Sequence, residues 1–183
     1  RKFQMIRFIL VVLCLLLYLI LFIPTMIFLL IVKKVKPEMA STVAQTMVRN
    51  VLKLLMFLAG AKVEVRGKDN IPKEGGVLFV SNHRSYFDIL AGYGYTYKPL
   101  GFVAKYEMIR IPLLRQWMKI LNCLFLNRND IKQGLKTILL GVEKVKSGIS
   151  IWICPEGTRN LNDDVTDVKD FKEGSLKIAE KGK

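Results

Sequence analysis

Imidazole, thiol and carboxylate are all scarce in this chain. Of 183 residues, one is histidine, three are cysteine and 15 are acidic, against 29 lysines and arginines. One histidine, with Cys14, Cys123 and Cys154 far apart in apolar runs, cannot supply the ligand set of a zinc centre. The same odd and separated cysteines suggest neither a disulfide framework nor a Cys-x-x-Cys site, and they fit a reducing, cytoplasmic side. The shortage of acid leaves a net charge of +14, which favours an anionic partner: acidic lipid, nucleic acid, a phosphorylated substrate or an acidic protein. No helix-turn-helix, zinc-finger or RNA-binding signature accompanies the charge, so a nucleic-acid partner is not expected. Repeats and low-complexity segments are absent, and the length suits a single domain.

Charge is missing altogether from Phe8 to Val32. At ~1.5 Å per helical residue this run is long enough to cross a bilayer core of ~30 Å. It is too long for a secretory leader, and no small-x-small cleavage site precedes Lys33. Cations flank both ends, Arg1, Lys2 and Arg7 before and Lys33, Lys34 and Lys36 after, so the charge bias that orients spanning helices is tied. A tie fits a segment that dips into one leaflet and returns, and Pro24 permits the kink that such a path needs. After Lys36-Pro37-Glu38, the pattern predicts a second helix from Met39 to Leu58, ended by Gly60. Val43, Met47, Val51, Leu54, Leu55 and Leu58 share one face, and Thr42, Gln45, Thr46, Arg49 and Lys53 fall opposite. Such a helix either lies at the membrane surface with its cations among the headgroups or packs as a core helix on the domain that follows. Residues 1–60 are thus expected to form a two-helix membrane-anchoring segment, a one-leaflet hairpin on the cytoplasmic face of the cell membrane.

From residue 61 strand and helix patterns alternate, which is the signature of an α/β domain over 61–183. Ala61 to Arg66 reads as a strand, Val77 to Ser81 as the central strand and Asp88 to Gly92 as a helix start. Leu100 to Ala104 and Cys123 to Asn127 read as strands around a helix from Pro112 to Leu121. Ile131 to Lys146 reads as an amphipathic helix with Ile131, Leu135, Ile138, Leu139, Val142 and Val145 as its core stripe. A fifth strand, Ile149 to Cys154, delivers Pro155-Glu156-Gly157-Thr158-Arg159.

The lone histidine stands in Asn82-His83-Arg84-Ser85-Tyr86-Phe87-Asp88, just past the central strand, where α/β proteins build their sites. Residues five apart share no face of a helix or strand, so His83 and Asp88 meet only across a turn. With a helix starting near Ser85, the Asp88 carboxylate reaches back to one imidazole nitrogen and leaves the other free as a general base. On this motif alone, the other reading is a hydrogen-bonded structural histidine with Asp88 as a helix-start acid. Glu156-Gly157-Thr158-Arg159 joins a permissive backbone, a hydroxyl and a guanidinium, a set able to hold phosphate; by itself it also reads as an ordinary turn. Ser85 lacks the Gly-x-Ser-x-Gly elbow of a serine hydrolase.

Asn-His-x-x-x-x-Asp followed by Pro-Glu-Gly-Thr-Arg resembles the glycerolipid acyltransferase family, specifically the 1-acylglycerol-3-phosphate (lysophosphatidate) acyltransferases, from about Val63 to Ala179. The resemblance implies an α/β acyltransferase domain with a mixed sheet flanked by helices. It implies acyl transfer from acyl-CoA or acyl-carrier protein to lysophosphatidate at a membrane, with no cofactor and no metal. His83 and Asp88 become the catalytic pair, and Asn82, Arg84, Glu156, Gly157, Thr158 and Arg159 substrate-binding residues. Lys105 and Glu107, in Lys105-Tyr106-Glu107-Met108, match a second acceptor motif, and Arg128 a block that neutralises phosphate. For Lys105 and Arg128, solvated surface cations are the other reading. Cys154 stands where the family usually has Phe, Asn160 where Ser is common, and Arg115 where Gly is frequent. After Phe171-Lys172-Glu173-Gly174 the family continues to a Val-Pro-Val type strand that this sequence does not contain, so the domain is expected to be C-terminally truncated. Glycerol 3-phosphate or another lysophospholipid as acceptor, and a noncatalytic binder of anionic lipid, are the alternatives.

Overall fold

The uncharged run folds as two helices. In the computed structural model, which describes residues 2–162, 164 and 166–182, α1 (Lys2–Leu21) and α2 (Ile23–Val35) meet at a break around Phe22. Arg1, counted among the flanking cations, and Lys183 lie outside the described residues. Pro24 has no N–H to continue a helical ladder, and it sits in the first turn of α2, where that donor is not needed. Bonding resumes on both sides: Phe22 donates to the Tyr18 carbonyl at 3.1 Å and Met26 to that of Phe22 at 2.8 Å. The second helix, α3 (Pro37–Ala59), stops at Gly60 in the left-handed region, φ 74°. A side chain at Gly60 would strike the Arg7 guanidinium, so the end of α3 lies beside the start of α1. The three helices therefore form a hairpin with one kinked arm.

Of the two readings of the second helix, the packed one holds. Ala40, Ala44, Gln45, Val51 and Leu55 of α3 are buried, and Gln45 and Arg49 of its polar side turn inward, while Thr42 and Thr46 of that side and Val43 and Leu54 of the apolar face are exposed. Gln45 donates to the Lys98 carbonyl at 2.5 Å and Arg49 to that of Thr96 at 2.9 Å. Lys33, at the end of α2, donates to the Ile120 carbonyl at 3.0 Å and to Asn122 Oδ1 at 3.1 Å. Loop carbonyls left open ahead of the strands need such donors. By contrast α1 has no buried residue; Phe3, Phe8, Leu17 and Leu21 are between 56% and 69% exposed. Among the described residues α1 is the one helix long and apolar enough to cross a membrane, and apolar surface this continuous marks contact with lipid or protein.

Four strands, β1 (Leu78–Val80), β2 (Leu100–Lys105), β3 (Leu124–Leu126) and β4 (Ser150–Ile153), form one sheet in the order β1-β4-β2-β3. Every pairing is parallel, which corrects the expected mixed sheet. Helices α4 (Phe87–Tyr95), α5 (Leu114–Ile120) and α6 (Ile131–Lys146) each return the chain to the same sheet edge, as parallel pairing demands. The strand expected to be central, β1, lies at the edge; β4, with Ile151 and Ile153 buried, and β2 fill the middle. No strand forms over Ala61 to Arg66: the apolar alternation is there, but no neighbour supplies a ladder.

On one face of the sheet the rings of Phe79, Trp152, Phe102 and Tyr93 stack in sequence at 5.3–5.5 Å. Helix α4 rides on this stack through Gly92, where an added Cβ would come within 2.8 Å of Trp152. The other face packs Ile151, Ile153 and Leu124 against Val145 of α6 and Ile178 of α7 (Lys177–Lys181). Ile151 and Ile178 are fully buried, each contributing about 1.5–3 kcal/mol. Helix α6 begins at Asp130, whose carboxylate caps the Gln133 amide at 3.0 Å. Its core stripe differs from the expected one. Ile131, Leu135 and Leu139 are exposed, while Thr137, Gly141, Val142 and Val145 are buried. Gly141 lies so close to Ile178 that a Cβ would come within 2.8 Å, so the helix docks by Thr137 and Gly141 together with Ile138, Val142 and Val145 of the expected stripe, and Ile131, Leu135 and Leu139 turn outward.

Candidate active site

Parallel strands point their carboxyl ends one way, and here all the motif residues follow strand ends. The last ladder contact of β1 is the Ser81 amide on the Ile153 carbonyl, 3.2 Å. Two residues later the chain turns, and α4 starts at Phe87 with Asp88 in its first turn. The turn brings His83 Nδ1 to 3.0 Å from Asp88 Oδ2. That oxygen also accepts the amides of Arg84 at 2.7 Å and Ser85 at 2.8 Å, and Oδ1 takes the Ser85 hydroxyl at 3.3 Å. Partial burial pushes the Asp88 carboxyl up, but the Ser85 and Arg84 amides and the imidazole outweigh it, and Asp88 lies below its ordinary value. It is therefore a carboxylate at neutral pH, and it holds a proton on Nδ1, leaving the lone pair on Nε2. The His83 side chain is 20% exposed, enough for contact with a ligand.

Beside this pair lies the turn after β4. Gly157 has φ +79°, a conformation that glycine alone adopts without strain. A Cβ there would be 3.4 Å from the Arg128 guanidinium carbon and 3.4 Å from Lys172 Cε. Arg128, past the end of β3, thus reaches the turn. Lys169 joins it, donating to Thr158 Oγ1 at 3.4 Å and to the Arg159 carbonyl at 3.2 Å. The Arg159 guanidinium lies 4.3 Å over the Tyr86 ring, within the His83 loop. Open backbone, one hydroxyl and four cationic side chains give the surroundings a phosphate needs.

The remaining expected residues differ in their surroundings. Glu156 is 4% exposed; its oxygens accept the His83 amide at 2.8 Å and the Lys169 amide at 3.2 Å, so the carboxylate does not face a ligand. The Arg84 guanidinium donates to the carbonyls of Asn162 and Asp164 and holds that segment instead of standing open. Lys105, at the end of β2, pairs with Glu107 at 3.2 Å on the surface, and Asn82 is exposed. Asn160, Lys169 and Lys172 carry no role in the sequence reading. Only Lys172 gave a signal, through the Phe171-Lys172-Glu173-Gly174 block. Among the described residues no cluster of three or more His, Cys, Asp or Glu forms a candidate metal site. Burial pushes the Cys154 thiol above its ordinary value, so it is a neutral neighbour and no thiolate.

A family model described as Acyltransferase matches residues 62–183. The 1-acyl-sn-glycerol-3-phosphate acyltransferase of Borreliella burgdorferi is 35% identical over 134 residues, spanning 73% of this chain and 52% of that protein. The enzyme of the same name from Saccharomyces cerevisiae is 29% identical over 150 residues, spanning 81% of this chain and 48% of that protein. The chain thus spans about half the length of these curated relatives. The crystal structure of the 1-acyl-sn-glycerophosphate acyltransferase PlsC from Thermotoga maritima is similar with a TM-score of 0.75 and 26% identity, covering 98% of this chain and 71% of that one.

Proposed function

Because the chain belongs to the Acyltransferase family, we propose that it moves a fatty acyl group from a thioester to the free hydroxyl of 1-acylglycerol 3-phosphate, making phosphatidate. The observation that carries this reading is the His83–Asp88 pair, Nδ1 3.0 Å from Oδ2 with the histidine side chain 20% exposed, beside the Gly157 turn and the Arg128 guanidinium. The acceptor's phosphate lies against Gly157, Thr158, Arg128 and Lys172, with Arg159 and Lys105 at the margin, and this sets the free hydroxyl before His83.

Nε2 takes the hydroxyl proton as the oxygen attacks the thioester carbonyl, and Asp88 stabilises the imidazolium that forms. The tetrahedral intermediate then expels the thiolate, which takes the proton from Nε2. Ester and thiol leave, and the imidazole is regenerated without a covalent enzyme intermediate. The donor is acyl-CoA or acyl-carrier protein. We read residues 61–183 as the acyltransferase domain and residues 1–60 as its anchor.

The exposed apolar α1 supports membrane association, the tied flanking charges support a one-leaflet hairpin, and the three free cysteines support the cytoplasmic face of the cell membrane. Single cysteines near Lys2 and Lys36, in a background without native cysteines, test this by accessibility labelling: the two sites label from the same side for a one-leaflet hairpin, and from opposite sides for a spanning helix. The activity is tested by thiol release from acyl-CoA with lysophosphatidate, glycerol 3-phosphate and lysophosphatidylcholine as acceptors. Faster release with lysophosphatidate supports the proposal; lipid binding without release with any acceptor and donor refutes it.

A further inference from the structure

We propose that Glu156 is a positioning residue that fixes His83 through the backbone, and that it is not a ligand for the acceptor. The inference rests on the reading of His83 as the base. Beyond Ser81 the His83 loop has left the ladder of a strand that lies at the sheet's edge among the described residues, so no described strand holds the imidazole in place. Asp88 fixes the ring relative to the Arg84 and Ser85 amides, but these belong to the same loop and move with it.

The turn after β4 supplies the missing reference. Glu156 Oε1 accepts the His83 N–H at 2.8 Å, and the Asn160 N–H donates to the His83 carbonyl at 2.6 Å. One residue's peptide groups are thus held at both ends by a single turn, and that turn also carries Gly157, Thr158 and Arg159. Its two clamping residues are themselves enclosed, Glu156 at 4% and Asn160 at 2% exposure. Asn160 Nδ2 donates to the Asp167 carbonyl at 2.5 Å, and Glu156 Oε2 accepts the Lys169 amide at 3.2 Å. A carboxylate is suited to this place because it offers two acceptor oxygens to two amides and no donor to either. The consequence is a fixed offset between the base and the phosphate-holding turn, and an error of about 1 Å in such an offset costs on the order of 10²-fold in rate.

Glu156→Gln keeps the shape but meets one amide with an oxygen and presents a donor to the other; Glu156→Ala meets neither. In the full chain in detergent, thiol release against lysophosphatidate concentration should show kcat falling ~10-fold in the Gln variant and ~10²-fold in the Ala variant, with acceptor KM unchanged within about 3-fold. A raised KM at unchanged kcat would make Glu156 an acceptor ligand and overturn the proposal. A second readout does not depend on turnover. His83 is the only histidine, so selective ¹⁵N-histidine labelling gives one backbone amide and one imidazole. Loss of a carboxylate acceptor should move that amide upfield and broaden the imidazole signals in Glu156→Gln, while Asp88→Asn leaves the amide in place. An amide unmoved in Glu156→Gln would overturn the clamp. If the unsubstituted chain shows no turnover, the function is refuted while the labelled amide still decides the clamp.

Discussion

Asp88→Asn separates charge from geometry in the proposed base pair. One oxygen, Oδ2, accepts all three of the His83 ring, the Arg84 amide and the Ser85 amide. Two fixed amide donors at that atom exclude an NH₂ group there, so the asparagine must keep its oxygen toward His83. The imidazole therefore keeps its tautomer, and what is lost is the negative charge facing the imidazolium. Two unit charges about 4 Å apart interact by about 4 kcal/mol at an effective dielectric of ~20. The two side chains are 20% and 26% exposed, and solvent screening roughly halves the figure, to about 2 kcal/mol. That predicts a ~30-fold fall in kcat/KM for acyl transfer, measured by thiol release at fixed pH with saturating acyl-CoA. Weaker bonds to the two amides should also lower stability, by about 1–2 kcal/mol, seen as a Tm fall of ~2–8 °C. Full activity in Asp88→Asn would leave the residue a helix-start acid and refute the mechanism.

His83→Ala deletes Nε2 as well and should lower turnover by at least ~10²-fold with an unchanged far-UV spectrum; near-normal turnover would exclude His83 as the base. Arg128→Ala removes the guanidinium beside Gly157, so it should weaken use of lysophosphatidate ~10-fold or more over a neutral monoacylglycerol, and equal losses on both acceptors would place Arg128 outside the phosphate site. Lys33 gives a pH effect: burial, and then Lys144, lower its amine from 10.5 to about 8. Between these values the unfolded chain binds more protons than the fold, so stability rises with pH from about 8 toward 10.5. Urea midpoints should climb across that window, and the climb should shrink in Lys33→Met.

The parts of the fold that show in the sequence are those fixed by local chemistry. Helix α6 runs over Ile131–Lys146 as its pattern predicts, because Asp130 caps it and no proline interrupts it. The five-residue spacing from His83 to Asp88 sufficed to predict a contact across a turn, since two amides of that same turn complete it. What the sequence hides are matters of partnership. Nothing in Val77 to Ser81 says that β4 will pair on one side of it and no strand on the other. Gly141 looks like a weak helix residue until Ile178 is seen against it. Glu156 and Arg84 have the residue types of ligand-binding groups, yet their bonds go to backbone atoms, and no pattern of residue types distinguishes a charge offered to substrate from one that holds a loop.

The polar contacts that bind the hairpin to the sheet unit gather at residues 96–98 and 119–122, just ahead of β2 and β3, whereas the candidate chemistry lies past the strands' far ends. The sheet therefore stands between those polar contacts and a tip that carries the candidate chemistry. Its height is set by strand length, at ~3.3 Å per residue, and cannot be adjusted by side-chain motion. Adding two residues to every strand would preserve each inward and outward face yet lift the tip by ~7 Å, enough, on the proposed function, to carry His83 away from an acceptor hydroxyl held at a fixed depth. The distance between the hairpin contacts and the candidate chemistry is thus a property of the core, and the loops at the tip remain free to vary in what they recognise.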